Sequence, residues 1–142
     1  MKHTLRTLIA LGLMLAASPA WAQSGGEKAA ATQCGSHDPA QAIIGCTTII
    51  QTQHQTKPML AFAFNNRAWA SHQLGKDDDA LRDANMAILL APNNAAVIET
   101  RAEIYEKLGK HDQAVADYRA ALTLDPKMTQ ASDGLKRLGA KP

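Results

Sequence analysis

The chain has 142 residues, with 15 Lys plus Arg against 13 Asp plus Glu and a formal net charge of +2. That length fits one domain. The two signs are interspersed, which gives no electrostatic reason to expect nucleic acid or an anionic membrane surface as partner.

Residues 1–22 have the three parts of a secretory signal peptide. Lys2 and Arg6 give the positive start, Leu8 to Ala17 the apolar run, and Ala20-Trp21-Ala22 the small-x-small cleavage site. The apolar run is about half of the roughly 20 residues needed to span a bilayer, and no Cys follows the cleavage site as a lipoprotein would demand. Cleavage is expected after Ala22, giving a periplasmic or secreted protein with no membrane insertion once the signal is removed. Losing Lys2 and Arg6 leaves 13 basic residues against 13 acidic ones, so the mature chain is formally neutral. From residue 23 to 36 the sequence is Gly, Ser, Ala and polar residues without periodicity, which predicts a flexible spacer.

Residues 37–58 are expected to hold one helix. Asp38 can cap its free amides and Pro39 fits the first turn, where a missing donor costs nothing. Ala42, Ile43, Cys46, Ile49 and Ile50 then recur at helical spacing on one apolar face. Cys34 and Cys46 are the only cysteines, an even count in a chain expected to reach an oxidising compartment. The four links from Cys34 to Asp38 span about 3.3 Å each and can reach back along the helix to Cys46. A disulfide is therefore sterically allowed. A redox-active thiol pair fits poorly, because the spacing is not C-x-x-C and no cation stands ready to stabilise a thiolate.

The stretch from Phe64 to Pro126 repeats itself. A shift of 34 residues lays Arg67-Ala68 on Arg101-Ala102 and Leu74-Gly75-Lys76 on Leu108-Gly109-Lys110. Ala80, Asp83, Ala87, Leu90 and Pro92 fall on Ala114, Asp117, Ala121, Leu124 and Pro126. Such a period marks a solenoid. Repeats over 59–92 and 93–126 each read as helix, Gly-centred turn, helix and Pro, with helices at about 59–74, 77–90, 94–108 and 111–124. A capping helix over 127–139 carries Met128, Ala131, Leu135 and Leu138 on one face, with Lys136 and Arg137 elsewhere. Arg67 and Asp83 flank one turn as Arg101 and Asp117 flank the other, so each antiparallel helix pair can close an ion pair. Asp83 with Arg101, between repeats, is the competing geometry.

These features resemble the tetratricopeptide repeat, whose W-x2-L-G-x2-Y…A-x3-F…P pattern has the same length. Ala102, Tyr105, Ala114, Tyr118, Ala121 and Pro126 stand on the pattern. The first copy is more degenerate, with Phe64 for the Trp, Ser71 for the Tyr and Ala84 for the second aromatic, and Arg67 and Arg101 both replace the usual Leu. The resemblance implies an all-α fold, a short right-handed α-solenoid with a helix at each end, and the Cys-bearing helix becomes a degenerate half repeat ahead of the stack, as in similar exported repeat proteins. It also implies a binding scaffold, non-catalytic and without cofactor, whose first helices line a concave groove.

On the first of these helices Phe62, Asn65, Trp69 and His72 share a face, and Glu99, Glu103 and Glu106 share the corresponding face of the next. An aromatic platform beside an acidic strip suits a ligand with an apolar anchor and a Lys or Arg. The alternative is that Phe62 and Trp69 pack as core and the glutamates form a solvated face. The family's clamp for a terminal carboxylate looks absent, since Asn66 can match its asparagine but acids stand where cations would be needed.

No other chemistry is legible. Lys76-Asp77-Asp78-Asp79 starts a helix, where acids suit the macrodipole, and no EF-hand spacing follows. His37, His54, His72 and His111 lack the i, i+4 spacing of a metal pair. There is no phosphate loop, nucleophile elbow or aimed carboxylate pair, so no catalytic, cofactor-binding or metal residue is expected. The expected partner is an envelope protein or an extended peptide. A self-assembling structural envelope protein and an accessory domain of an enzyme complex are the alternatives.

Overall fold

The computed structural model describes residues 20–52 and 55–141. Among these it contains seven α-helices and no strand: α1 Ala20–Cys34, α2 Pro39–Gln51, α3 Lys57–Gln73, α4 Asp77–Leu90, α5 Ala95–Lys107, α6 His111–Leu124 and α7 Thr129–Arg137. None of the described helices is long and apolar enough to cross a membrane. Most of the expected export signal, and His54, lie outside the described residues.

Local chemistry sets the boundaries. The Asp38 carboxylate accepts from the Ala40 amide at 2.9 Å, with Pro39 in the first turn of α2. Thr56 and Asn94 cap α3 and α5 in the same way, accepting from the Met59 and Ala96 amides. Each cap satisfies a donor that has no partner inside its helix. At the far ends, Gly75 and Gly109 take φ of 71° and 70°, a left-handed conformation that costs glycine little. The amides one residue further on, Lys76 and Lys110, then reach back to the Ser71 and Tyr105 carbonyls at 2.9 Å. This is the glycine closure of a helix C-terminus. Gly139 closes α7 identically, its φ 67° and the Ala140 amide 2.9 Å from the Leu135 carbonyl. The last helix therefore ends as the first helix of a repeat does.

Successive helices pack antiparallel as hairpins α1–α2, α3–α4 and α5–α6, with α7 on the end. Next-nearest contacts are one-sided: α1 meets α3, α3 meets α5 and α5 meets α7, whereas among the described residues no two even-numbered helices touch. The odd helices thus line the inner side of an arc. Small residues permit the close approach, since Ala68, Ala80, Ala84, Ala87, Ala102, Ala114 and Ala121 are all fully buried. Tyr118, Ile104 and Leu135 are the largest buried fillers. The Tyr118 ring lies over Gly134, where a β-carbon would come within 2.5 Å of it.

The N-terminal region differs from the sequence expectation in two ways. Residues 23–36, expected as a flexible spacer, lie largely within α1, and α1 with α2 makes a full hairpin where a half repeat was expected. The cause is tertiary. Ala30 and Cys34 are buried against α2, which approaches closely because Gly45 has no side chain; a β-carbon there would stand 2.7 Å from the Ala30 carbonyl oxygen. Cys34 and Cys46 are joined by a disulfide, with Cα atoms 4.5 Å apart, which ties the end of α1 to the middle of α2. Contact and cross-link together hold a segment whose own apolar pattern is weak.

Candidate functional site

The ion pairs that fix the hairpins bound the site. Arg67 grips Asp83 with two parallel bonds of 2.7 and 2.9 Å, and Arg101 grips Asp117 with bonds of 2.7 and 2.8 Å. The fork geometry orients each guanidinium. The remaining nitrogen of each Arg reaches back to the preceding even helix, to Thr47 at 3.1 Å and to Asn85 at 2.7 Å. Both pairs close within a hairpin, so the competing bond between Asp83 and Arg101 does not form. Asp83 and Asp117 are buried, and removing either partner would strand a charge.

The inner face of α3 is not core. Phe62 is 40% exposed and Trp69 36% exposed, while Ala61, Ala63, Ala68 and Ala70 take the buried side. The four predicted residues of this helix do not form one platform. Phe62 and Asn65 line a cavity of about 440 Å³ with Ala96 and Val97 of α5. Trp69 instead borders a cleft of about 490 Å³ formed with Cys34, Ser36 and Ala42 of the first hairpin. His72 lines neither hollow: it stands 6.1 Å from the Trp69 ring and its Nδ1 lies 2.6 Å from an Asp77 carboxylate oxygen. Asn65 Oδ1 is buried without a hydrogen-bond partner among the described residues.

On α5 the three glutamates have different fates. Glu106 accepts two bonds from Arg137 of α7, at 2.8 and 2.9 Å, and one from the Tyr118 hydroxyl at 2.6 Å. The Arg137 bonds hold its carboxyl below the ordinary range. In return, Glu106 pushes the Arg137 guanidinium up, and burial together with Glu106 raises the Tyr118 hydroxyl. Glu106 is therefore a structural link to the last helix, which corrects its expected place in a free acidic strip. Glu99 and Glu103 have no hydrogen bond or ion pair within reach among the described residues. Burial, and then the neighbouring Glu103, push the Glu99 carboxyl up to about 7. Burial likewise raises Glu103, against the opposing pull of Arg137.

The sequence reading missed Arg137, which it assigned to the outer side of a capping helix. The available signal was the Gly134 and Leu135 pair, which places α7 over Tyr118 and so aims Arg137 at α5. Among the described residues no group of three His, Cys, Asp or Glu side chains is placed to hold a metal ion.

Comparison with known proteins agrees with this architecture. The sequence profile of the tetratricopeptide repeat matches residues 100–128. No curated protein matches the chain by sequence. Among solved structures, the Arabidopsis OM64 TPR domain superposes with a TM-score of 0.71 at 24% identity, covering 81% of this chain and 95% of that one. The second TPR domain of human RPAP3, in complex with the HSP70 peptide SGPTIEEVD, gives 0.68 at 26% identity over 85% of this chain and 98% of that one. The first TPR of Spaghetti (RPAP3), bound to the HSP90 peptide SRMEEVD, gives 0.68 at 22% identity over 82% of this chain and 89% of that one. The repeat profile falls on the third hairpin, α5–α6, and the hairpin stack superposes on such domains over most of its length, so the chain carries a tetratricopeptide repeat and has the all-α solenoid fold of these domains.

Proposed function

We propose that this protein is an exported, non-catalytic interaction scaffold that holds a protein or peptide segment against the inner face of α3 and α5. The observation that carries the reading is the exposure of Phe62 and Trp69. Large apolar side chains left in water on the face lined by the odd helices, beside two cavities of several hundred cubic ångströms, are what a partner segment would cover. Tetratricopeptide repeat domains generally serve as protein-interaction scaffolds, and two structural neighbours hold peptides. Export rests on the sequence of residues 1–22 and is consistent with the Cys34–Cys46 disulfide, which an oxidising compartment preserves.

Two measurements test this. Expression of the full chain should yield an envelope protein that starts at Gln23 by mass spectrometry and has no free thiol. Affinity capture from envelope extract with the wild-type protein, and in parallel with a Phe62→Ala, Trp69→Ala double variant, should recover a partner that the variant loses. An unprocessed cytoplasmic protein would refute export, and equal recovery by both baits would refute this face as the binding surface.

A further inference from the structure

The inner face carries acceptors that nothing in the fold satisfies. Asn65 Oδ1 is buried without a partner. Glu99 and Glu103, half-buried one helical turn apart, have no hydrogen-bonding or ion-pair partner among the described residues. Like charges at this spacing repel, and each would be relieved by a donor or a cation. The fold shows how such relief is built, since Glu106 in the next turn has both Arg137 and Tyr118. Arg137 is committed there and acts on Glu99 and Glu103 only through space. The face thus offers acceptors without matching donors, beside two exposed aromatic rings.

From this we infer that the occupant of the inner face is a peptide segment carrying a Lys or Arg next to an apolar residue, the cation taken by Glu99 and Glu103 and the apolar side chain by Phe62 or Trp69. The inference rests on the scaffold reading above and deepens it by naming the ligand's chemistry. Register supports the combination. One repeat length of 34 residues places Phe62 level with Ala96, Asn65 level with Glu99 and Trp69 level with Glu103, so anchor and counter-charge alternate along the groove within the reach of a few extended residues. The charge is opposite to that suited to the peptides on the two neighbours, SRMEEVD and SGPTIEEVD, which bear carboxylates. On this face such a peptide would meet Glu99 and Glu103, and like charges brought together across an interface exclude a partner.

Protonation gives the ligand site a second signature. The groups facing the pair are Glu106, Lys107 and Arg137, together with His72 across the groove. Of the two carboxyls, Glu99 is pushed up to about 7, so the site gains negative charge as pH rises through neutrality. Affinity for a basic segment should rise with it.

The test is selection of a random dodecapeptide phage library on the mature protein at pH 7.5, followed by fluorescence anisotropy of the enriched peptides. The expected pool pairs Lys or Arg with Leu, Phe or Trp, binds at least about tenfold more weakly to Glu103→Lys, and binds more weakly at pH 6 than at pH 8. Circular dichroism melts confirm that the variant is folded; if it is not, the nearly isosteric Glu99→Gln replaces it. An acidic or uncharged pool that Trp69→Ala or Phe62→Ala still abolishes would overturn the inference and leave the scaffold reading standing. A basic pool indifferent to the glutamate variants and to pH would also overturn it. Enrichment of no peptide at all would remove both readings.

Discussion

Replacing Glu99 by Gln should stabilise the protein at pH 8 and leave it unchanged at pH 4. The perturbation is nearly isosteric, so packing is held constant and only ionisation is removed. Burial, and then Glu103, carry the Glu99 carboxyl from 4.5 to about 7 in the folded state. Between these values the folded chain holds a proton that the unfolded chain has released, so stability falls as pH rises through the window. At 1.36 kcal/mol for each tenfold change in acidity the full shift would correspond to about 3 kcal/mol, and because the carboxylate is only half-buried, solvent screening reduces the expected cost of ionisation at pH 8 to about 1–2 kcal/mol. Gln carries no such cost. A protein of this size gains roughly 4 °C in Tm per kcal/mol, so the variant should melt roughly 4–8 °C above wild type at pH 8, with the gap closing as pH falls to 4. The assay is a pair of thermal melts across pH 4 to 9 in buffers of matched ionic strength. A gap independent of pH, or a variant less stable at pH 8, would refute the argument that Glu99 is held against its own ionisation.

Three further outcomes follow from packing and cross-linking. Gly134→Ala places a β-carbon against the buried Tyr118 ring, and overpacking of this kind should cost about 1–3 kcal/mol by urea denaturation; Tyr118→Leu in the same chain should recover part of it. Asp117→Ala strands the Arg101 guanidinium, whose side chain is 24% exposed, and should cost about 3 kcal/mol, with Asp117→Asn costing less because it retains a hydrogen-bond acceptor. Reduction, or Cys34→Ser with Cys46→Ser, should cost about 3 kcal/mol from loop closure alone and should raise amide exchange in α1 before it does so in α5 or α6; uniform exchange across all helices would show that α1 is held without the cross-link.

The repeat was legible because its signals are local and doubled. Gly75 and Gly109 sit where a helix must end with positive φ, and the buried alanines recur at the same offsets on either side. The pairing of Arg67 with Asp83 was likewise readable, since an antiparallel hairpin leaves few other partners for either. What escaped depends on residues far apart in sequence. α1 shows no amphipathic stripe, and its Gly25-Gly26 pair argues against helix on propensity alone. Its order comes from Gly45, which admits the α1 backbone, and from the Cys34–Cys46 bond. The sequence reading foresaw that bond but not the helix it holds. Phe62, Asn65, Trp69 and His72 share a face as spacing requires, yet Phe62 and Asn65 line a hollow toward α5, Trp69 lines another toward the first hairpin, and His72 is engaged with Asp77.

The unequal treatment of the three glutamates on α5 bears on function more directly than any single contact. A helix selected for stability alone would match its half-buried carboxylates with cations or replace them by neutral residues, because an unrelieved buried charge is costly. The chain does this once, with Arg137 and Tyr118 around Glu106, and the result fastens the last helix to the stack. One and two turns earlier, at Glu103 and Glu99, the same helix carries the cost without the remedy. His72 stands close enough to influence Glu103, yet its Nδ1 is engaged with Asp77. Proteins keep such local conflicts at sites that something else completes. A cation arriving at Glu99 and Glu103 would recover the energy that folding spends there, so the same burial that weakens the free protein at pH 8 would strengthen its complex.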